Sequence, residues 1–374
     1  MPWWGDMRIM IVTDAWLPQT NGVVRTLAQT EAWLGRFGHE VRMVTPRDFR
    51  SIACPTYPEI RLSLLPYAKV RQSILAFSPQ ALHIATEGPL GLSARRFCIS
   101  EGMRFTTSYH TQFPQYLRAR FPIPLRASYR ALRWFHGAAA RCMVSTASVR
   151  QDLAAHGFEN LATWRRGVDT EIFKPHPKDF LTLPRPIAAY VGRVAVEKNI
   201  DAFLKMAWTG SKLIIGDGPE RVRLEKQYPH AIFTGYRFGE DLAKHLAAAD
   251  VMVFPSRTDT FGLVNLEAMA CGVPVAAYPV TGPIDVIEDG VTGALDLDLA
   301  AAARRALEVN PNACRERALQ SGWDACSREF ANNLERCEPA AAAQPKLILA
   351  SRLVRESAPD SASSSSIRPS RTRL

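Results

Sequence analysis

Short runs of uninterrupted apolar residues alternate along this chain with longer segments in which apolar positions recur every three or four residues. Arg8–Thr13, Glu40–Thr45, Ala81–Ala85, Phe105–Ser108 and Ala140–Ser145 are runs of the first kind, and they read as strands buried on both faces. Between the first two, Gly22–Gly38 places Val24, Leu27 and Leu34 on one helical face, with Gln29 and Glu31 opposite. A second series follows at Ile187–Val191, Lys212–Ile215, Ala231–Phe233, Val251–Phe254 and Val273–Ala277. Repeated strand, helix, strand order predicts parallel sheets covered by helices, an α/β protein. The segment running from Lys174-Pro175-His176-Pro177 to Leu183-Pro184-Arg185-Pro186 breaks all periodicity and reads as a linker. The expected organisation is a Rossmann-like domain over 1–172, a linker over 173–186 and a second Rossmann-like domain over 187–320. A helical segment over 321–337, centred on Trp323–Leu334, follows. The Ala-, Pro-, Ser- and Arg-rich stretch 338–374 reads as a disordered tail. Lys346–Val354 within it is apolar with no evident reason. Two such halves make a cleft, and ligands of open α/β sheets bind beyond the C-terminal strand ends.

Composition narrows the class. A chain of 374 residues suits two domains, and 47% hydrophobic with 22% charged residues fits a globular protein. No apolar run reaches the ~18 residues needed to span a bilayer. The start, MPWWGDMRIMIVTD, lacks the pattern of a secretory signal; Met7 reads as a natural start and Met1–Asp6 as an extension. Seven cysteines without C-x-x-C spacing read as buried small residues in a reducing cytosol, and the expected location is cytoplasmic. No histidine spacing describes a zinc site. Residues 1–170 carry 21 Lys+Arg against 11 Asp+Glu, whereas 171–374 carry 25 of each. All the excess positive charge therefore sits in the first half, which points to an anionic partner there. It has a local focus in Pro124–Arg141. Arg126, Arg130 and Arg133 share one helical face there, Leu125, Tyr129, Leu132 and His136 line the neighbouring one, and Phe121, Trp134 and Phe135 add aromatic character. Such a helix suits either an anionic membrane surface or an ordinary solvated face over a buried stripe.

Candidate chemistry concentrates in Phe254–Val275, FPSRTDTFGLVNLEAMACGVPV. An apolar strand ends at Pro255, a helix begins after Gly262, and Asp259 lies in the connecting loop about two helical turns before Glu267. Phe261, Gly262 and Leu263 bring main-chain N–H groups to the start of that helix, where an anion is favoured, while two carboxylates can grip sugar and ribose hydroxyls. Helix capping by Asp259 and a surface pairing of Glu267 are the plainer alternatives. After the strand Ile187–Val191, Gly192-Arg193 and Lys198 in GRVAVEKN offer two cations at a strand end, suited to a departing diphosphate or to a solvated pair. Gly216 and Gly235-Tyr236 close the next two strands as turns. Asp296-Leu297-Asp298 has the D-x-D form that some enzymes use for a metal, but Asp298 is better placed to cap an alanine-rich helix, so no metal is required. In the first half, PQTNGVV carries one glycine, Gly22, where a dinucleotide fingerprint would need G-x-G-x-x-G, which argues against hydride transfer.

The run from Pro255 to Val275 resembles the pattern P-S-x-x-E-G-F-G-L-x-x-x-E-A-M-A-x-G-x-P-V of the retaining nucleotide-sugar glycosyltransferases of family 4. GRVAVEKN resembles that family's G-R-L-x-x-E-K-N, and the likeness covers roughly Met7 to Leu334. It implies the GT-B fold, two Rossmann-like domains whose parallel sheets face a central cleft, with the final helix crossing back to the first. Asp259 stands where a Glu is usual and would hold hydroxyls of the donor sugar; Glu267 would hold the ribose. Asp259-Thr260 in place of Glu-Gly shortens that arm by one methylene, a form also shown by branches that glycosylate lipids, such as mannosyl- and sulfoquinovosyltransferase-like ones. Arg193 and Lys198 would neutralise the diphosphate. Gly22 would let the backbone approach donor phosphate and acceptor, Gly192, Gly216, Gly235 and Tyr236 would border the nucleotide, and His110 in SYHTQFPQYL would bond a donor hydroxyl and lend it positive character. Glu87 in HIATEGPLG, with Arg166 and Asp169 in WRRGVD, would meet the acceptor. The expected activity is metal-independent, retaining hexosyl transfer from GDP-mannose or a UDP-sugar to a hydroxyl on a membrane lipid or lipid-linked glycan. The donor is a substrate and no separate cofactor is implied. Arg126, Arg130 and Arg133 are the expected peripheral contact with an anionic membrane surface. A sugar-nucleotide 2-epimerase would need acid/base carboxylates that cannot be placed, and a basic nucleic-acid- or anion-binding protein lacks a recognition motif.

Overall fold

Continuous apolar strands buried on both faces need helices on both sides of a sheet, and the chain builds two such layers in succession. The computed structural model describes residues 5–19, 21–54, 57–120 and 123–337; the expected tail, most of the N-terminal extension and Phe121 lie outside them. In chain order the first layer comprises β1 (Arg8–Val12), α1 (Gly22–Arg36), β2 (Glu40–Val44), a hairpin of β3 (Ser51–Cys54) and β4 (Tyr57–Ser63), α2 (Tyr67–Phe77), β5 (Ala81–Ile84), α3 (Pro89–Ser100), β6 (Thr106–Tyr109), α4 (Phe113–Arg120), α5 (Leu125–His136), β7 (Arg141–Val144), α6 (Ala147–Ala155) and β8 (Leu161–Thr163). The second comprises β9 (Ala188–Val191), α7 (Ile200–Lys205), β10 (Lys212–Ile215), α8 (Arg221–Gln227), β11 (Ile232–Gly235), α9 (Gly239–Ala247), β12 (Val251–Phe254), α10 (Leu263–Ala270), β13 (Val275–Ala277), α11 (Pro283–Val286), β14 (Gly293–Leu295), α12 (Leu299–Ala306) and α13 (Pro311–Leu319).

Both sheets have six parallel strands, ordered β2-β1-β5-β6-β7-β8 and β11-β10-β9-β12-β13-β14. The order reverses between β1 and β5 in the first and between β9 and β12 in the second. Loops leaving neighbouring strands on opposite sides of a sheet open a crevice at such a point. Local chemistry starts the adjoining helices. The Asn21 side chain accepts from the Val23 and Val24 amides to cap α1, and Gly262, at φ +77°, turns the chain into α10.

The last helix, α14 (Trp323–Asn333), packs beside α1 and seals Ile9, Ile11 and Trp164 under Trp323 and Phe330. Glu329 accepts from the Arg165 amide at 2.6 Å, and Glu335 pairs with Arg141 at 2.9 Å. Between the layers the chain is pinned by Arg315, whose guanidinium donates to the carbonyls of Thr170, Phe173 and Ala270. Cys98, Cys142, Cys271, Cys314 and Cys326 are buried thiols. Among the described residues no helix is long and apolar enough to cross a membrane.

Candidate functional site

The reversal in the second sheet brings the loop after β9 against the loop after β12. The Asn199 side-chain Nδ2 donates to the Pro255 carbonyl at 3.1 Å, and Lys198 Nζ meets Asp259 Oδ1 at 2.6 Å. Lys198 and Asp259 thus form one ion pair, their side chains 22% and 16% exposed. Arg193 sits in the same loop, its carbonyl accepting from the Tyr190 hydroxyl at 2.7 Å. Gly192 and Gly216 close on each other: a Cβ on Gly216, at φ +155°, would lie 1.8 Å from the Gly192 carbonyl oxygen. Gly235 ends β11 and Tyr236 follows it, stacking on Phe238 with ring centroids 5.9 Å apart. Glu267, one turn and more into α10, is buried, and burial pushes its carboxyl above the usual carboxylate range against the pull of Arg25.

Among the described residues, five of the thirteen buried side-chain polar atoms without a partner fall in this one stretch: Ser256 Oγ, Thr258 Oγ1, Asp259 Oδ2, Asn265 Oδ1 and Glu267 Oε2. Buried polar atoms are normally satisfied, so such a cluster marks a place where ligand or water supplies hydrogen bonds. Asp259 does not cap α10, where no side chain accepts the first amides.

The first sheet's reversal gathers a second cluster. Asp14, after β1, accepts from the amides of Leu90 and Gly91 and the hydroxyl of Thr86, fastening the start of α3. Burial pushes its carboxyl up to about 6. Glu87 accepts from His136 Nε2 at 3.1 Å. His110 has both ring nitrogens engaged, Nε2 with Ser108 Oγ at 2.8 Å and Nδ1 as acceptor from Arg166 at 3.2 Å. Burial, then the Arg166 guanidinium, hold its pKa well below the ordinary histidine value, so the ring is neutral at pH 7 and the positive charge beside it belongs to Arg166. Asp169 accepts from the amides of Glu171 and Ile172, a local turn.

The clusters meet. The Thr260 hydroxyl donates to the His110 carbonyl at 2.7 Å and the Ser145 hydroxyl to the Thr260 carbonyl at 3.1 Å. Leu263 packs on Gly22, Asp285 of α11 accepts from the Ser148 amide at 3.1 Å and from its hydroxyl, and Arg25 of α1 pairs with Glu267 at 2.5 Å. Gly282, at φ +94°, lets the chain pass under the Asp259 carbonyl, 2.6 Å from where a Cβ would be. Arg25, Ser145, Ser148, Gly282 and Asp285 are absent from the sequence-based set. Only Gly282, before the Pro283 that opens α11, carried a local signal.

Asp298 accepts from the Ala300 amide and caps α12, and Asp296 accepts from the Asp298 amide. No group of three or more potential metal ligands occurs among the described residues. In α5 the arginines 126, 130 and 133 are exposed, while Tyr129, Leu132, Phe135 and His136 are buried in the first half. Its apolar stripe is spent on the core, leaving an outward face of charge with Trp134, 59% exposed.

The model of the Glycosyltransferase Family 4 matches residues 20–172 and that of Glycosyl transferases group 1 matches residues 185–309. A GDP-mannose-dependent alpha-mannosyltransferase of Mycobacterium tuberculosis is 30% identical over 315 residues, covering 77% of this chain and 83% of its own. The sulfoquinovosyl transferase SQD2 of Arabidopsis thaliana is 31% identical over 347 residues, 80% of this chain and 68% of its own. Among solved structures, sucrose-phosphate synthase from Thermosynechococcus elongatus superimposes with a TM-score of 0.70 at 21% identity, covering 87% of this chain and 98% of its own. The fold is GT-B.

Proposed function

The chain belongs to glycosyltransferase family 4, and from that premise we propose that this glycosyltransferase moves a hexose, with retention, from a nucleoside diphosphate sugar to a hydroxyl on a membrane lipid or lipid-linked glycan. The observation that carries the reading is the pair of buried, unpartnered carboxylate oxygens, Asp259 Oδ2 and Glu267 Oε2, with Lys198 paired to Asp259 at the strand-order reversal. Carboxylate oxygens without donors call for hydroxyl donors, and a hexose joined to a ribose by a diphosphate supplies hydroxyls at both ends with negative charge between.

Arg193 and Lys198 neutralise the diphosphate as it departs, a task for pre-placed cations that requires no metal. Before donor binding Lys198 is held by Asp259; the diphosphate competes for the ammonium and frees Asp259 to accept sugar hydroxyls. Glu267 accepts from the ribose. The amides of Phe261, Gly262 and Leu263 face the phosphates, and Gly192, Gly216, Gly235 and Tyr236 shape the nucleotide seat. His110 acts as a neutral strut that presents the Arg166 guanidinium towards the cleft. Glu87, braced by His136, and the loop at Gly22 line the acceptor side. The relatives' names favour GDP-mannose or another nucleotide sugar as donor. The arginines of α5 support attachment to the cytoplasmic face of an anionic membrane by surface charge, without insertion.

A thermal-shift panel of UDP- and GDP-sugars tests the donor: saturating ligand at ~100 times its Kd adds about 2.7 kcal/mol. The matching sugar nucleotide should release its diphosphate only with a lipid or glycan acceptor present, and in EDTA as well as without it. Strict dependence on magnesium or manganese would overturn the cationic reading, and release without acceptor would point to an isomerase or hydrolase.

A further inference from the structure

We propose that Arg25 is a positioning residue for the donor: from the opposite half of the molecule it holds Glu267 as a pre-aimed, ionised acceptor for the ribose hydroxyls. The inference rests on the reading of Glu267 as the ribose partner.

Three observations converge. Arg25 Nη1 and Glu267 Oε1 are 2.5 Å apart, while Glu267 Oε2 has no partner. One oxygen is neutralised and the other is left fixed in direction. The two ends differ in environment: the Arg25 side chain is 42% exposed and that of Glu267 only 5%, so the cation keeps its hydration and the carboxylate depends on it. The arginine is also built in place, since Asn21 caps α1 one turn earlier and the guanidinium lies 5.7 Å from the Phe173 ring centroid. Burial pushes the Glu267 carboxyl up and Arg25 is what pulls it down. Three titratable groups on elements packed against α10 are engaged elsewhere. Arg315 of α13 donates to main-chain carbonyls, His245 of α9 is paired with Asp241, and Asp285 of α11 accepts from Ser148. The Cys271 thiol is pushed up to about 12 by burial and is neutral. Without Arg25, Glu267 would take up a proton at higher pH, and a protonated carboxyl is a poor acceptor for a ribose hydroxyl.

The test is calorimetric titration of the full chain with UDP and GDP, following whichever the wild type binds more tightly, from about pH 5.5 to about pH 8.5. Arg25→Met should weaken binding at neutral pH about tenfold, the ratio between a charge-assisted and a neutral hydrogen bond, and should move the acidic loss of binding to higher pH. Arg25→Lys should restore most of both. The Arg25→Met penalty should vanish in a Glu267→Gln background and for the 2′,3′-dideoxynucleotide. Wild-type affinity and pH profile in Arg25→Met would overturn the inference while Glu267→Gln remained impaired. Tighter binding would overturn it too, making Arg25 a plug in the ribose seat. If Glu267→Gln itself bound like wild type, the ribose reading would fail and this inference with it.

Discussion

Replacing Lys198 by Met separates what the Lys198–Asp259 pair does for the fold from what it does for the reaction. The ammonium and carboxylate are 2.6 Å apart with side chains about a fifth exposed. Exposed pairs are worth about 0–1 kcal/mol, and breaking a fully buried one costs about 3–5, so the loss here should be about 2 kcal/mol. With an unfolding entropy of about 2.1 cal/mol/K per residue, the melting temperature of a chain of 374 residues should fall by roughly 2–3 °C. Most of that cost is the stranded carboxylate, because Asp259 Oδ2 is already without a partner. Asp259→Asn in the same background should therefore return most of the stability. Turnover should not return with it. Loss of a cation at a departing diphosphate costs ~10²–10³-fold, and neutralising Asp259 restores no charge there. Melting curves and kcat with the donor found in the sugar-nucleotide panel read the two effects separately. Recovery of turnover in step with stability in the double variant would refute the reasoning and leave the pair a purely structural tie.

Three further expectations follow from the geometry. Gly216→Ala must push a Cβ against the Gly192 carbonyl from a positive φ and should cost about 3 kcal/mol or more in urea unfolding; wild-type stability would show that the two turns can part freely. His83, hydrogen-bonded to Thr106 and Ser108, is pushed down to about 3 by burial and then by the charges of Arg166 and His136. The unfolded chain takes up this proton below about pH 6.5 and the folded one refuses it, so stability is complete above that pH and drains as pH falls, by about 2 kcal/mol at pH 5. His83→Asn should remove that part of the slope, and an unchanged slope would assign it elsewhere. Replacing Arg126, Arg130 and Arg133 by Glu should abolish binding to anionic liposomes at low salt while leaving nucleotide binding intact, at about 1 kcal/mol per charge; a wild type that ignores such liposomes refutes surface attachment.

What was legible in the sequence follows the physics of burial. Strands covered on both faces, such as β1, β5, β9 and β12, are continuous apolar runs and stand out. The β3–β4 hairpin does not, since Pro55 and Pro58 and its polar positions erase the pattern, and β8 and β14 have only three residues each. The carboxylates and cations of the second half were legible because they lie close together along the chain. Their partners were not. Arg25 meets Glu267, and Ser148 meets Asp285, only because the two sheets face one another, and no local spacing encodes that. Nor could sequence tell that Ser108 and Arg166 would occupy both nitrogens of His110, because that depends on how β6 and the segment after β8 approach.

The clasp between Asp285 and Ser148 makes the start of α6 a gauge of the opening of the cleft. Ser148 stands in the first turn, where no preceding carbonyl is available to its amide, and its acceptor comes from the other half of the molecule. Any separation of the halves therefore strips protection from that one amide, while its neighbour Val149 keeps the hydroxyl of Thr146. The ratio of their hydrogen–deuterium exchange rates counts excursions to the open state without an attached reporter group, a ligand or a substitution.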